Sequence, residues 1–393
     1  MDFTFTEEQQ VAVEAARAVF SDVAPDGAPS PALTPGAVAE DIDRQLWHEL
    51  ARTDLLGLTL SPDHGGAGLD PIALCLVLRE SAKVLARVPL LESCAVAMAI
   101  ERYGDRTLAA ELLPRAGRGE LILTVGANGR SGHDPAELAV SARPYGSGDE
   151  AGEGETDGSA GGSGWVLDGV QSAVPWAQAA DWIAVPAHTA GGHPVLALVP
   201  RTRDGVTLAD QVSTNGERLA EVRLDAVRVE ARELIDAAGC WDWLRSLLTT
   251  GTCALALGLG ERVLAMTAEY TGKREQFGFP VATFQAVAVQ AADRYIDLRA
   301  MEATLWQAAW RISTDTGGPL PAAGDVAVAK IWASDGVRRV VQTAQHLHGG
   351  FGADTDYPLH RYHAWAKQIE LSLGPAAAHE EALGDLLAAH PLG

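Results

Sequence analysis

Tyr270-Thr-Gly-Lys-Arg274-Glu-Gln-Phe277-Gly278, with Phe284-Gln285 shortly after it, is the stretch that decides the reading of this chain. It ends a long apolar helical pattern over 241–272 and passes through a Phe-Gly turn into a second helical pattern, 281–315. Arg274 therefore stands at a predicted helix end, where a cation favours the negative end of the helix dipole. A guanidinium in that place can also grip a pyrophosphate with two parallel charge-assisted hydrogen bonds. A second block, His348-Gly349-Gly350-Phe351-Gly352, closes the next helical pattern, 322–349. Two adjacent glycines there allow a backbone to approach a ligand that any side chain would block.

Working outward, the period of the apolar residues changes twice. Thr6 followed by Glu7, Glu8 and Gln9 is a helix start with a hydroxyl cap. Val11, Val13, Ala16, Val19 and Phe20 form the apolar face behind it, and 22–42 is a Pro/Gly/Ala-rich loop. Further helices are predicted over 42–56, from Pro71 to Leu85, and twice within 90–116. From Leu121 the pattern becomes short β-rich runs broken by Gly and Pro: Leu121–Val125, Glu137–Ala142, Trp165–Val170, Trp182–Pro186, Val195–Val199 and Ala220–Val229. From Ala231 the helical period returns in long segments, 241–272, 281–315, 322–349 and 359–389, whose lengths suit a four-helix bundle. The expected organisation is α+β: an N-terminal helical domain (1–117), a middle β-domain (118–230) and a C-terminal four-helix bundle (231–393). The acidic Gly/Ser/Glu run 146–164 inside the β-domain is expected to be a solvated, disordered loop.

Composition narrows the partners. The chain has 393 residues, is 47% hydrophobic and carries a net charge of −22, which argues against nucleic acid and anionic membranes as partners. Cys75, Cys94, Cys240 and Cys253 lie in apolar surroundings without CxxC spacing and are expected to be small core residues in a reducing compartment. His346 and His348 lack a third ligand at suitable spacing, so no metal site is expected. The N-terminus has no basic, signal-like run, and no uncharged apolar stretch reaches the ~18 residues that a membrane span needs. A cytoplasmic protein is the expectation.

The two quoted blocks, at their spacing, resemble the acyl-CoA dehydrogenase family of flavoproteins. The resemblance covers essentially the whole chain; it is strongest from about 255 to 375 and weak in the β-domain. It implies FAD as cofactor, an acyl-CoA or acyl-carrier thioester as substrate, an electron-transfer flavoprotein or similar acceptor, and a homo- or hetero-oligomer. In the family the arginine reaches across a subunit interface to the FAD pyrophosphate, which implies that role for Arg274. Phe277 is implied to pack near the adenine, Gln285 to hydrogen-bond the cofactor, and Gly349-Gly350 to close on the diphosphate. The family's glutamine before the glycines is replaced by His346, with Gln345 beside it, so both are candidates. Thr124 stands where the family presents a Thr-Glu-Pro turn to the flavin, but the Glu-Pro is missing. The aromatic-Ile-Thr strand that normally meets the flavin reads Ala173-Val174-Pro175-Trp176.

The main departure concerns the base. Desaturation needs a carboxylate to take the α-proton while hydride leaves the β-carbon for the flavin. Where many members carry that glutamate, after an Arg…Lys pair matched by Arg361 and Lys367, this chain has Leu373. Where others carry it, Leu248–Leu255 contains no carboxylate. Glu370, one helical turn before Leu373, is the internal candidate; Asp242 and Glu261 are weaker ones. Three functions follow: an acyl-CoA dehydrogenase-like oxidoreductase using an unusual base, a non-catalytic subunit whose partner supplies the glutamate, as in actinobacterial heteromeric members, or a flavin-dependent monooxygenase of the same fold, which needs no α-proton base.

Overall fold

The computed structural model describes residues 4–129, 138–145, 164–314 and 316–391. The acidic run expected to be a disordered loop lies outside these residues except for Gly164, which opens a strand.

Five helices come first: α1 (Glu7–Phe20), α2 (Arg44–Arg52), α3 (Pro71–Ala82), α4 (Leu90–Tyr103) and α5 (Arg106–Gly117). Thr6 and Gln9 close a reciprocal capping box on α1, as its sequence predicts. The Gln9 amide also donates to Asp70 Oδ1 at 3.0 Å, and Asp70 caps α3 ahead of its first-turn proline. The helix predicted over 42–56 is shorter. Asp43 caps it, and Asp54 takes a positive φ of 57° just past its end, which stops the helix there.

Eight strands follow: β1 (Leu123–Val125), β2 (Val140–Tyr145), β3 (Gly164–Pro175), β4 (Trp182–Thr189), β5 (Pro194–Pro200), β6 (Val206–Val212), β7 (Arg218–Glu230) and β8 (Leu234–Ile235). They form one sheet in the order β6-β7-β3-β2-β4-β5-β8, with β1 parallel to β4. Strand β6 was not predicted, because at the sheet edge its side chains are half or fully exposed and it reads as polar. The sheet has its own apolar core, from Leu167, Val174, Val185, Val195, Val222 and Val229 among others. Ser93 on α4 pins the helices to β1: its hydroxyl donates to Leu123 O at 2.8 Å and accepts from Leu123 N at 3.1 Å.

The rest is α6 (Cys240–Lys273), a short hairpin of β9 (Glu275–Gln276) and β10 (Phe279–Pro280), then α7 (Gln285–Thr314), α8 (Ala322–His348), α9 (Leu359–Leu371) and α10 (Ala376–Ala389). The single helix predicted over 359–389 is thus two, broken at Leu373 (φ 58°) and Gly374 (φ 102°). Helix α6 is long and apolar enough to cross a membrane by length and composition, but 78% of its most apolar window is buried, as in a core helix. It packs so closely on α3 that a Cβ at Gly258 would lie 1.9 Å from Arg79 O. All four cysteines are buried and unpaired.

Candidate functional site

Two regions carry the predicted site residues. The first is an exposed edge at the end of α6. Phe277 (φ 55°) and Gly278 (φ 81°) are the turn of the β9–β10 hairpin, whose register pairs Gln276 with Phe279. Two consecutive positive φ angles match the twist of such a tight hairpin. Arg274 ends the helix: its N–H donates to Tyr270 O at 2.8 Å, and its carbonyl accepts from Val281 N at 2.7 Å. The hairpin is thereby fixed on the helix end, and Arg274 is left exposed. Phe277 is 91% exposed, touching Phe284 edge-on with ring centres 6.4 Å apart. Gln285 opens α7 and is exposed too.

The glycine block joins this edge through stacked rings. Tyr270 lies against His348 (4.4 Å, 21°) on one contact and Phe351 (5.2 Å, 11°) on another. Buried His348 is held by Ala344 O at 2.8 Å on Nδ1 and by the Tyr357 hydroxyl at 3.0 Å on Nε2. Burial lowers its pKa, so it is a neutral structural ring. Of the two candidates before the glycines, the Gln345 amide donates to Gly349 O at 3.0 Å and holds its own turn, while His346 is exposed. Gly349 and Gly350 face open space, with nothing within 4 Å of a built Cβ. Arg274, Phe277, Gln285, Gly349 and Gly350 are thus all exposed, and Tyr270 joins the glycine block to the helix that ends at Arg274.

The second region is a partly open cavity. A cavity of about 390 Å³ lies between α3, α4, α6, the ends of β1 and β3, the β6–β7 turn and the α9–α10 break. Leu248, Thr252 and Leu255 of α6 line it, and so does Leu373. The two places where a base was sought therefore open on one space, and neither supplies a carboxylate. Glu370 is not among the lining residues. Its carboxylate pairs with Lys367 Nζ at 2.6 Å and lies 3.9 Å from Arg338 Nε. Asp242 borders a different cavity, with Arg311 and His390. Glu261 is locked to Arg79 and Lys83 between α3 and α6. None of the three candidates lines the cavity.

Thr124 is fully buried and its hydroxyl donates to Pro175 O at 2.6 Å, so it braces β1 against β3. The strand end that would meet a flavin bends sharply: Ala173 (φ 51°) and Trp176 (φ 57°) both take a left-handed backbone, which costs a non-glycine residue about 1–3 kcal/mol. The bend brings Trp176 to the cavity, which Glu92 of α4 also lines. Burial is the main influence on Glu92 and raises its pKa to about 7. Sequence reading missed Glu92, because a glutamate in the first turn of a helix reads as a dipole partner. The other lining carboxylate, Glu217, is paired with Arg87 Nε at 2.8 Å. Lys330, fully buried on α8, donates to the carbonyls of Ile369 (2.9 Å) and Glu370 (3.1 Å) and caps the end of α9 beside Leu373. Among the described residues no group of three His, Cys, Asp or Glu is placed to hold a metal.

Known proteins share this architecture over its whole length. The family models for the N-terminal and C-terminal domains of acyl-CoA dehydrogenase match residues 6–120 and 248–387. The chain belongs to the acyl-CoA dehydrogenase family, oxidoreductases whose cofactor is FAD. It is similar to acyl-CoA dehydrogenase FadE27 of Mycobacterium tuberculosis, 36% identical over 354 residues and 89% of each chain. It also matches a chain of the ChsE4-ChsE5 complex of Mycobacterium tuberculosis, with TM-score 0.87, 34% identity and full coverage of both chains. A variant of the Tcur3481-Tcur3483 steroid ACAD matches with TM-score 0.83 and 36% identity over 98% of each chain.

The residues present fit part of FAD. The exposed arginine, aromatic and glycine turn suit a pyrophosphate and a ring lying on the outside of this chain. The Thr124 hydroxyl and the 173–176 bend, tied to their own neighbours, do not offer the flavin-facing groups of the family.

Proposed function

We propose that this chain is one subunit of a heteromeric, FAD-dependent acyl-CoA dehydrogenase and that the glutamate base comes from a partner subunit. The observation that carries the reading is the convergence of Leu373 and Leu248–Leu255 on one cavity that neither lines with a carboxylate. When bound, FAD accepts the hydride that leaves the β-carbon of the acyl thioester. This chain's part is to hold. Arg274 grips the pyrophosphate of a FAD seated mainly in the partner, Phe277 and Gln285 border it, and Gly349-Gly350 admits its diphosphate. The partner's carboxylate takes the α-proton. Two structural relatives support the division of labour, one a chain of the ChsE4-ChsE5 complex and the other part of the Tcur3481-Tcur3483 steroid ACAD. The second favours a bulky apolar acyl group on the CoA or carrier thioester. An electron-transfer flavoprotein or similar acceptor and a cytoplasmic setting complete the proposal.

The test is purification with and without a glutamate-bearing dehydrogenase chain. FAD should be retained only in the mixed complex, at one FAD per pair of unlike chains. The chain alone should desaturate acyl-CoA more slowly than the complex by about 10²–10⁴-fold. A yellow, active homo-oligomer of this chain would overturn the reading.

A further inference from the structure

The Gly349-Gly350 turn has no side chain of its own to hold it. A Cβ built at either glycine has nothing within 4 Å, and Gly349 takes φ 58° and ψ −138°, outside any regular structure. Such a turn has to be fixed at its ends. The residues at those ends, His348 and Phe351, both carry rings, and both rings meet the same two tyrosines. Tyr270 of α6 stacks on His348 at 4.4 Å and on Phe351 at 5.2 Å between ring centres. Tyr357, just before α9, meets them at 5.3 Å and 4.5 Å. The four contacts close a cycle: Tyr270, His348, Tyr357, Phe351.

The polar edges of this cycle are matched as well. The Ala344 carbonyl can only accept, so His348 Nδ1 carries the proton, and Nε2 accepts from the Tyr357 hydroxyl at 3.0 Å. Burial lowers the pKa of His348 and raises that of Tyr357, which keeps both neutral in these roles. Tyr270 has a second link. Its carbonyl accepts the Arg274 N–H at 2.8 Å, where α6 ends. One residue of α6 therefore touches both rings that flank the glycines and is bonded to the arginine of the exposed edge.

We propose that Tyr270 and Tyr357 are positioning residues for the cofactor: together they fix the Gly349-Gly350 turn, and Tyr270 sets its spacing from Arg274, so that both grips on a diphosphate are in place before it docks. This rests on the reading of the exposed edge as the FAD site, and not on where the glutamate base lies. Each tyrosine acts through the turn. A turn that is ordered beforehand loses no further freedom when the ligand binds, and that is the source of the affinity.

The experiment has two readouts, applied to Tyr270→Leu, Tyr357→Leu and Tyr270→Phe. The first is amide hydrogen exchange of the segment 345–354 in the FAD-free chain. The second is FAD affinity, by flavin fluorescence, in whichever assembly of the chain holds FAD, with Arg274→Ala as reference. Both are taken well below the unfolding midpoint of every variant, so that loss of folded chain does not enter. Each leucine variant should speed exchange in 345–354 about tenfold and weaken FAD about tenfold, the scale of one or two lost ring contacts. Tyr270→Phe keeps the ring and should match wild type in both, because the lost hydroxyl lies 3.5 Å from His348 O, at the limit of a hydrogen bond. Unchanged exchange in both leucine variants overturns the proposal whatever FAD does. So does full FAD affinity in both when Arg274→Ala has lost it, or a loss in Tyr270→Phe equal to that in Tyr270→Leu. Undiminished FAD in Arg274→Ala as well marks failure of the FAD reading itself, and the proposal falls with it.

Discussion

The exposed edge at Arg274 and the cavity at Leu373 are constrained in opposite ways. On the edge, side chains that serve nothing inside the chain are held in place: Phe277 is almost wholly exposed on a rigid turn, and the glycines of 349–350 border empty space. Inside the chain Phe277 makes only an edge-on contact with Phe284, and the proposed cofactor contact would give it a further role. At the cavity Glu217 is taken by Arg87, and beside it Thr124 is taken by Pro175. On the proposed reading the edge serves a docked cofactor, whereas the interior is held by its own contacts. If so, substitutions in the interior should act on stability and those on the edge on cofactor retention.

The sharpest attempt to break that contrast uses glycines. A Cβ at Gly258 would meet the Arg79 carbonyl, which is backbone and cannot swing aside. Gly258→Ala should force α3 from α6 and cost about 3 kcal/mol or more, at the upper end for overpacking. Denaturant unfolding measures it. A loss below 1 kcal/mol, with the slope unchanged, would show that the interior wall yields.

Lys330 gives the next effect and a pH signature. Burial is the main influence and lowers its pKa from 10.5 to about 8, although Cys253 and Glu370 pull the other way. Between those values the unfolded chain binds the proton more tightly, so wild-type stability should rise with pH from about 8 to about 10.5, by up to ~3 kcal/mol. Lys330→Met removes the rise and leaves the Ile369 carbonyl without its cap. The variant should therefore be closest to wild type near neutral pH and fall progressively behind in alkali. Parallel thermal-unfolding profiles across that range would refute the buried, titrating amine. Other groups that titrate there, Tyr357 and Tyr362 included, cancel in the comparison.

How much of this was legible beforehand follows the same division. Arg274, Phe277 and Gly349-Gly350 could be singled out because each proposed role rests on residue type: a planar cation, a ring, an absent side chain. The capping box at Thr6 and the proline opening α3 were legible for the same local reason. Strand β6, half exposed at the sheet edge, gave no alternation to read. The α9–α10 break was hidden because Leu373 takes a left-handed backbone against its type, and only the packing around it fixes that. Glu92 was invisible for a deeper reason: its chemistry comes from a cavity assembled by segments distant in sequence. For Glu370 and Thr124 the sequence could not show that each is turned to a structural partner, Lys367 and Pro175.

On the edge, Arg274→Ala should leave the unfolding midpoint of the chain unchanged. The guanidinium is exposed and has no ion-pair partner among the described residues. Within a FAD-bearing complex, the loss of a bidentate charged contact of about 2–3 kcal/mol should weaken FAD about 30- to 150-fold. Flavin absorbance after gel filtration reads this directly. Full retention of flavin would remove Arg274 from the cofactor site.

A small effect on stability is also expected at Gly350, and it separates the two regions most cleanly. Its φ is not left-handed, and a Cβ there meets nothing within 4 Å. In the chain itself Gly350→Ala should be neutral, within about 0.5 kcal/mol, as for other surface substitutions without a special role. If the space beside it belongs to a diphosphate, the added methyl should still displace cofactor, lowering flavin content in the complex without moving the melting temperature of the apo chain. Gly349 cannot serve as this probe, because at φ 58° and ψ −138° any side chain is strained whatever the space contains. A stable Gly350→Ala complex with undiminished flavin would mean that the glycine faces solvent in the assembly. The exposed edge would then have to end at Arg274 and the hairpin.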